Sequence, residues 1–472
     1  MNSGSQKPFP QREKKRETKI FHFKALLQRT GWVAPAFVEV DDRGRIQSIS
    51  NADPVNNKPV EVVKGFAVPG FLNAHSHAFQ YAMAGMAEKH PVDTVDDFWT
   101  WREAMYACAL TLDPDQMQAV AAMAYAEMLK RGYTHVAEFQ YLHHDKNGQP
   151  YDNNAEMSVS LLAAAAIAGI KITLIPVFYQ KGGFGKPAES AQRRFCFRNV
   201  DEYLKLLEDC SSVVKNLTTS HLGFGVHSLR AADTADLLRI VNDGPRDRPF
   251  HIHAAEQLKE VNDALAFLNE RPVEWLLNHV DLNARFHLIH CTHLSDNEVL
   301  KLAQSKAHVV LCPGTEANLG DGIFRLTDFA GHSDHWSIGT DSHISLNPLE
   351  DLRWLDYTQR LTKHKRNTFS DGAGTLMKSA YFGGKSAMGL LAADFFEVGQ
   401  PLDAVVYDGD SPLLSTAGVD HLLPTLVYTA DGSSVSGTLV DGDWITRDLH
   451  HRNEEEILRD FQRALKNISS TL

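Results

Sequence analysis

Short apolar runs, many rich in Val and Ile, alternate along most of the chain with longer stretches whose apolar positions recur at helical spacing. Eight runs read in order: GFAVPGFLNA, THVAEFQ, KITLIPVF, LGFGVH, PFHIHA, FHLIHC, HVVLCP and WSIGTD. MQAVAAMAYAEMLKRG and SVSLLAAAAIAG between them carry the helical period. Strand–helix alternation predicts a parallel sheet, and eight units predict a closed (β/α)8 TIM barrel. No GxGxxG fingerprint follows an early run, so a barrel is preferred to an open doubly wound sheet.

The ends of the chain have a different texture. KIFHFKALL, AFVEVDD and RIQSIS are short β-like segments separated by turns, and DAVVYD, TLVYTA and SVSGTLVDGDWI repeat that texture near the other end. This predicts a small β-sandwich domain assembled from both termini. The expected division is a disordered tail at 1–18, β segments at 19–66 and 398–452, the barrel at 67–397 and a closing helix at 453–472.

Composition narrows the chemistry. The 472 residues carry a net charge of -12, which argues against nucleic acid as partner because phosphate binding needs concentrated Lys and Arg. It leaves room for a small anion in a locally basic pocket. Five cysteines with no CxxC spacing speak against a disulfide framework and for a reducing, cytoplasmic setting. No apolar run is long enough to span a bilayer, and the polar, basic start does not read as a secretory signal.

Histidine is the anomaly, with 23 in the chain. The first run leads into His75-Ser76-His77, and alternate strand residues share a face, so both imidazoles can reach one ion. Such a pair alone is weak, because one is expected by chance at this histidine content. Three later positions strengthen it: the fifth run carries His253, the sixth His290 and the eighth ends at Asp341. In a TIM barrel the chemistry sits at the C-terminal strand ends. His75, His77, His253 and Asp341 there would supply three nitrogens and one oxygen with a position left open, a pattern that suits one catalytic zinc, with iron or manganese as alternatives. Metal-activated water must lose a proton and return one to the leaving group. Glu256, three residues past His253, is the candidate proton shuttle. His290 could stabilise charge or assist the water, and Asp341 could accept its proton.

This ligand pattern resembles the amidohydrolase superfamily. Within it, the stretches PGFLNAHSHAFQYAMAG, FWTWREAMY, AEFQYLHHD, VHSLRA, HIHAAEQ, RPVEWLLNH, LIHCTH, CPGTEANLGDGIF, IGTDSHISL and EDLRWLDYTQRL resemble the formimidoylglutamate deiminases from about Pro69 to Leu361. AHSHAFQ, VHSLR and TEANLGDGIF are the specific part. One departure is Tyr81, where arginine is expected. The fourth run offers His227 and no lysine to bridge two metals, and Lys181 lies in a Gly-rich loop, so a mononuclear site is preferred.

The resemblance implies hydrolysis of N-formimidoyl-L-glutamate to N-formyl-L-glutamate and ammonia, in histidine degradation, by a cytoplasmic homodimer. It implies Arg102 and Arg230 as carboxylate-binding residues, and Gln80, Tyr141 and His227 as pocket lining. Glu316–Gly322 is read as a pocket loop. A rival within the superfamily is a purine or pterin deaminase, which needs no arginine pair. A rival outside it is an inactive barrel used as a binding protein.

Overall fold

A computed structural model of the chain describes residues 17–54, 58–88 and 97–469. Most of the expected tail (1–16) and the end of the expected closing segment (470–472) lie outside the described residues.

Eight parallel strands form the barrel: β1 (Phe71–Ser76), β2 (Tyr133–Gln140), β3 (Lys171–Phe178), β4 (Phe224–Ser228), β5 (Phe250–Ala254), β6 (Phe286–His290), β7 (His308–Leu311) and β8 (Trp336–Ile338). Each pairs with the next, and a parallel bridge from Ser76 to Asp341 returns the last strand end to the first. The fold is a (β/α)8 barrel. Every residue of β2 and β3 is buried, as expected of strands covered on both faces, and in β3 this explains a run that reads as continuous rather than alternating. Helices enter with local signals: Asp113 and Gln116 cap Pro114–Lys130 reciprocally, with proline at the first helical position.

Among the described residues the second sheet has nine strands, drawn from both ends of the chain. Its seam is Val60–Pro69, which pairs in parallel with Lys19–Gln28 and antiparallel with Ala404–Asp408. Buried Lys171, at the start of β3, reaches Asp403 at 2.6 Å and Asp441 at 2.7 Å, and so ties the foot of the barrel to this sheet. Among the described residues no helix is long and apolar enough to cross a membrane. All five cysteines are free thiols.

Three local readings change. The run Gly65–Ala74 is not one strand: its first half belongs to the small sheet, and β1 begins at Phe71. TLVYTA is the end of the helix Val419–Thr429, because Leu422 and Leu426 bury one helical face four residues apart. The stretch Glu316–Gly322 begins in a helix, Pro313–Leu319, which starts on Pro313 and stops at Gly320 with φ of 67°. Lys181 lies in a small hairpin and pairs with Asp233 at 2.8 Å. Tyr81, the departure from the expected arginine, packs its ring on Phe461 of the helix Glu454–Ser469, with centroids 5.7 Å apart.

Candidate metal centre and active site

The end of β1 is held from both sides. The His75 carbonyl accepts the amides of Thr340 and Asp341, each at 3.0 Å, and the His77 amide donates to the Asp341 carbonyl at 3.1 Å. Gly339 permits this approach, since a Cβ there would lie 2.7 Å from the His75 Cβ. On the other face of β1, the Ser76 hydroxyl donates to Glu138 at 2.6 Å, and the Ala78 amide donates to the same carboxylate at 2.7 Å. The two imidazoles of the HxH pair are thereby fixed toward Asp341.

His75, His77, His253 and Asp341 are buried, and their ligand atoms lie within 4.8 Å of one another. His75 Nε2 is 3.4 Å and His77 Nε2 is 3.2 Å from Asp341 Oδ1, and His253 Nε2 is 3.1 Å from His75 Nε2. The outer ring nitrogens explain the orientation. His77 Nδ1–H donates to the Phe139 carbonyl at 3.0 Å, and His253 Nδ1–H donates to the His227 carbonyl at 2.9 Å. These tautomers turn the Nε2 lone pairs inward, the arrangement of metal-binding histidines. Burial, then His77, lowers the His75 pKa to about 3, so the ring is neutral as a ligand must be. Burial opposes charge on Asp341, yet the adjacent His75 and His77 rings hold its carboxyl well below the usual range. The group is fit to hold a metal ion.

His290, at the end of β6, points Nε2 toward Glu256 Oε1 and Asp341 Oδ2, each 3.7 Å away. The backbone is left-handed at Ala255, His290, Cys291 and Asp341, with φ between 49° and 70°. Non-glycine residues in that region cost about 1–3 kcal/mol each and gather where the surrounding structure enforces them. Here they gather at the ends of β5, β6 and β8.

All the sequence-predicted site residues except His75 and His290 line one cavity beside this group. Gln80 donates to the Tyr141 hydroxyl at 2.9 Å. His227 stacks edge-on to Tyr179, with ring centroids 4.6 Å apart, and burial followed by Arg230 pushes its pKa well below the usual value. Helix Phe98–Thr111 forms one wall. Its Trp99 lies between the two arginines, with Arg102 stacked over its ring at 4.6 Å and Arg230 at 6.0 Å. Arg102 is mostly buried and its Nε has no hydrogen-bond partner. Arg230 stands 3.6 Å from Glu256 Oε2 and 3.4 Å from Glu260 Oε2.

Three acidic residues of the site carry no sequence-stated role. Glu260 is fully buried against Arg230, and its spacing from Glu256 is only that of neighbouring turns. Glu316 accepts from His290 Nδ1 at 3.2 Å. Asp321 accepts from Gln257, and burial with Glu256 nearby pushes its carboxyl well above the usual range. The segment TEANLGDG pointed to the last two as a stretch, without signalling either side chain's direction.

Comparison with known proteins agrees with this geometry. The chain is 42% identical over 455 residues to the formimidoylglutamate deiminase of Pseudomonas aeruginosa, covering 94% of this chain and 98% of that one. It is 25% identical over 413 residues to a 5-methylthioadenosine/S-adenosylhomocysteine deaminase of Haloarcula marismortui, covering 87% and 86%. The crystal structure of an amidohydrolase from Brucella melitensis superposes with a TM-score of 0.89 at 38% identity, covering 96% of this chain and all of that one. The sequence profile of the amidohydrolase family matches residues 66–445, a span that holds every barrel strand and every proposed ligand, and the chain belongs to that family.

Proposed function

We propose that the protein hydrolyses N-formimidoyl-L-glutamate to N-formyl-L-glutamate and ammonia, with one zinc ion held by His75, His77, His253 and Asp341. The observation that carries this reading is one cavity that joins a three-histidine, one-aspartate donor set to a buried glutamate and two tryptophan-flanked arginines. The 42% identity over nearly the whole chain supports the substrate.

Three nitrogens and one oxygen suit zinc, and when bound it acts as a Lewis acid that lowers the pKa of water from 15.7 to about 7. The residues do the rest. Arg102 and Arg230 grip the two carboxylates, since guanidinium forks match carboxylate geometry. Gln80, Tyr141 and His227 shape the cavity around the formimidoyl end. Glu256 takes a proton from the attacking water as its oxygen bonds to the formimidoyl carbon. It then delivers that proton to the nitrogen of the cationic formimidoyl group; as the C–N bond breaks and ammonia leaves, the second proton of the water passes to Asp341 and the carbon keeps the oxygen as a formyl carbonyl. His290 Nε2, facing Glu256 and Asp341, stabilises the oxygen as charge develops. The reading includes a cytoplasmic homodimer, to be checked by light scattering and fractionation.

Glu256→Gln is expected to retain zinc and lose about 10²–10⁴-fold in kcat, the usual weight of a positioned acid–base group. Wild-type turnover by that variant, read as ammonia release, rejects the assignment. A second reading, a purine or pterin deaminase, draws on the aromatic lining of Phe98, Trp101, Tyr106 and Tyr179. Ammonia release from formimidoylglutamate, guanine and adenosine in one panel separates the two.

A further inference from the structure

We propose that Glu316 is a positioning residue for the hydrolysis, one that locks the imidazole of His290 so that Nε2 faces the reacting atoms. The inference rests on the reaction assigned above.

His290 is the last residue of β6 and its ring is wholly buried. His290 still pairs with Ala254 in the sheet, but with φ at 70° its backbone departs from extended geometry, so strand parity alone does not fix where the side chain points. The ring is instead held by Nδ1–H, which donates to Glu316 Oε1 at 3.2 Å. Glu316 is itself anchored, because the same oxygen accepts the Cys312 amide at 2.9 Å. Cys312 directly follows β7, so the position of His290 is set from the neighbouring strand. The opposite nitrogen, Nε2, has no hydrogen-bond partner among the described residues and stands 3.7 Å from both Glu256 and Asp341. A free ring edge aimed between the proton carrier and a proposed ligand is useful only while the ring stays put.

The simpler reading makes Glu316 a helix-start residue whose task is to satisfy the Cys312 amide. Two facts oppose it. A buried carboxylate is costly unless paired, and among the described residues Glu316 forms its ion pair with His290. A neutral amide would satisfy the Cys312 N–H equally well, so a carboxylate is not needed for that contact.

The experiment is a comparison of Glu316→Gln and Glu316→Ala in the zinc-loaded enzyme, with kcat, KM, bound zinc and thermal midpoint measured together. Groups that orient the residues of a metal site are typically worth 10–100-fold, so Glu316→Ala should lower kcat by about 100-fold and Glu316→Gln, which can still accept from Nδ1–H, by about tenfold. KM should stay within about twofold, and zinc and the thermal midpoint of Glu316→Gln should match the wild type. If Glu316→Ala fails to fold, Glu316→Gln still decides. Retention of wild-type kcat by Glu316→Gln, or a loss that appears only in KM or only with loss of zinc, overturns the proposal. The rates are ratios on whichever substrate of the panel the wild type turns over. A wrong substrate assignment therefore shows in the wild type, and a wrong role for Glu316 shows only in the variants.

Discussion

At the C-terminal ends of the strands His75, His77, His253 and His290 crowd one carboxylate, and at the N-terminal ends His251, His287, His308 and His335 stack ring on ring. The two sets share strands: His251 and His253 lie two residues apart on β5, on the same face. In the upper set His75 crosses His77 at 84° and His253 at 88°, and the Nε2 edges converge. In the lower set successive rings are 4.7–4.9 Å apart and tilted by 14–26°, so their edges never meet at a point. His251 donates from Nε2 to the Ala387 carbonyl at 3.0 Å, and His308 Nε2 meets the Ser386 hydroxyl at 3.1 Å. Burial lowers both pKa values to about 3. Burial is thus common to the two ends, the half-buried His335 apart, and it lowers the pKa of His75 and His253 as it does those of His251 and His308. What separates a candidate ligand set from a packed floor is convergence on a carboxylate.

The sharpest way to break this contrast is to remove the carboxylate. Asp341→Asn should abolish zinc retention and lower kcat by about 10³-fold or more, read by metal analysis and ammonia release. A variant that keeps both would reduce the upper set to a second packed cluster. A smaller effect is expected at the pocket wall. Arg230→Met should raise KM by about 10–100-fold with zinc retained, since a charge-assisted hydrogen bond is worth about 1.5–3 kcal/mol. It also strips Glu256 and Glu260 of their shared cation, so some stability should go with it.

The smallest effect belongs to the floor. His308→Gln should leave kcat within about twofold, because the ring reaches no site residue. Its signature is in the pH dependence of folding. A histidine with a lowered folded pKa binds fewer protons folded than unfolded. Its stabilising contribution is therefore complete above about 6.5 and falls as the pH drops toward about 3. Unfolding free energies from denaturant melts between pH 7 and pH 5 should fall less steeply in His308→Gln, by up to about 1.4 kcal/mol per pH unit. Equal slopes for both proteins would mean that His308 is not held neutral in the fold.

Much of the barrel was legible because burial on both faces leaves a direct mark, a run with few polar breaks. β3 lies within such a run, whereas β2 also buries Thr134, His135, Glu138 and Gln140. The approach of His75 to Asp341 was accessible for a related reason: strand parity and the C-terminal end rule place both without knowledge of any contact. TLVYTA misled because a short apolar run does not declare its period, and only the packing of Leu422 and Leu426 selects the helix. Glu260, Glu316 and Asp321 carried no periodic signal. Each is acidic near a helix start or turn, where acidic residues are common on the surface.

The amino-acid order by itself determined which side chains could bind and where along each strand they would stand, since alternation and strand ends are local properties of the backbone. Tertiary structure alone decided which of the many histidines converge and which only stack. It also decided that Glu316 turns toward His290, and that Arg230 is shared by two carboxylates. Those outcomes depend on distances between strands far apart in the chain, set when the barrel closes from Ser76 to Asp341.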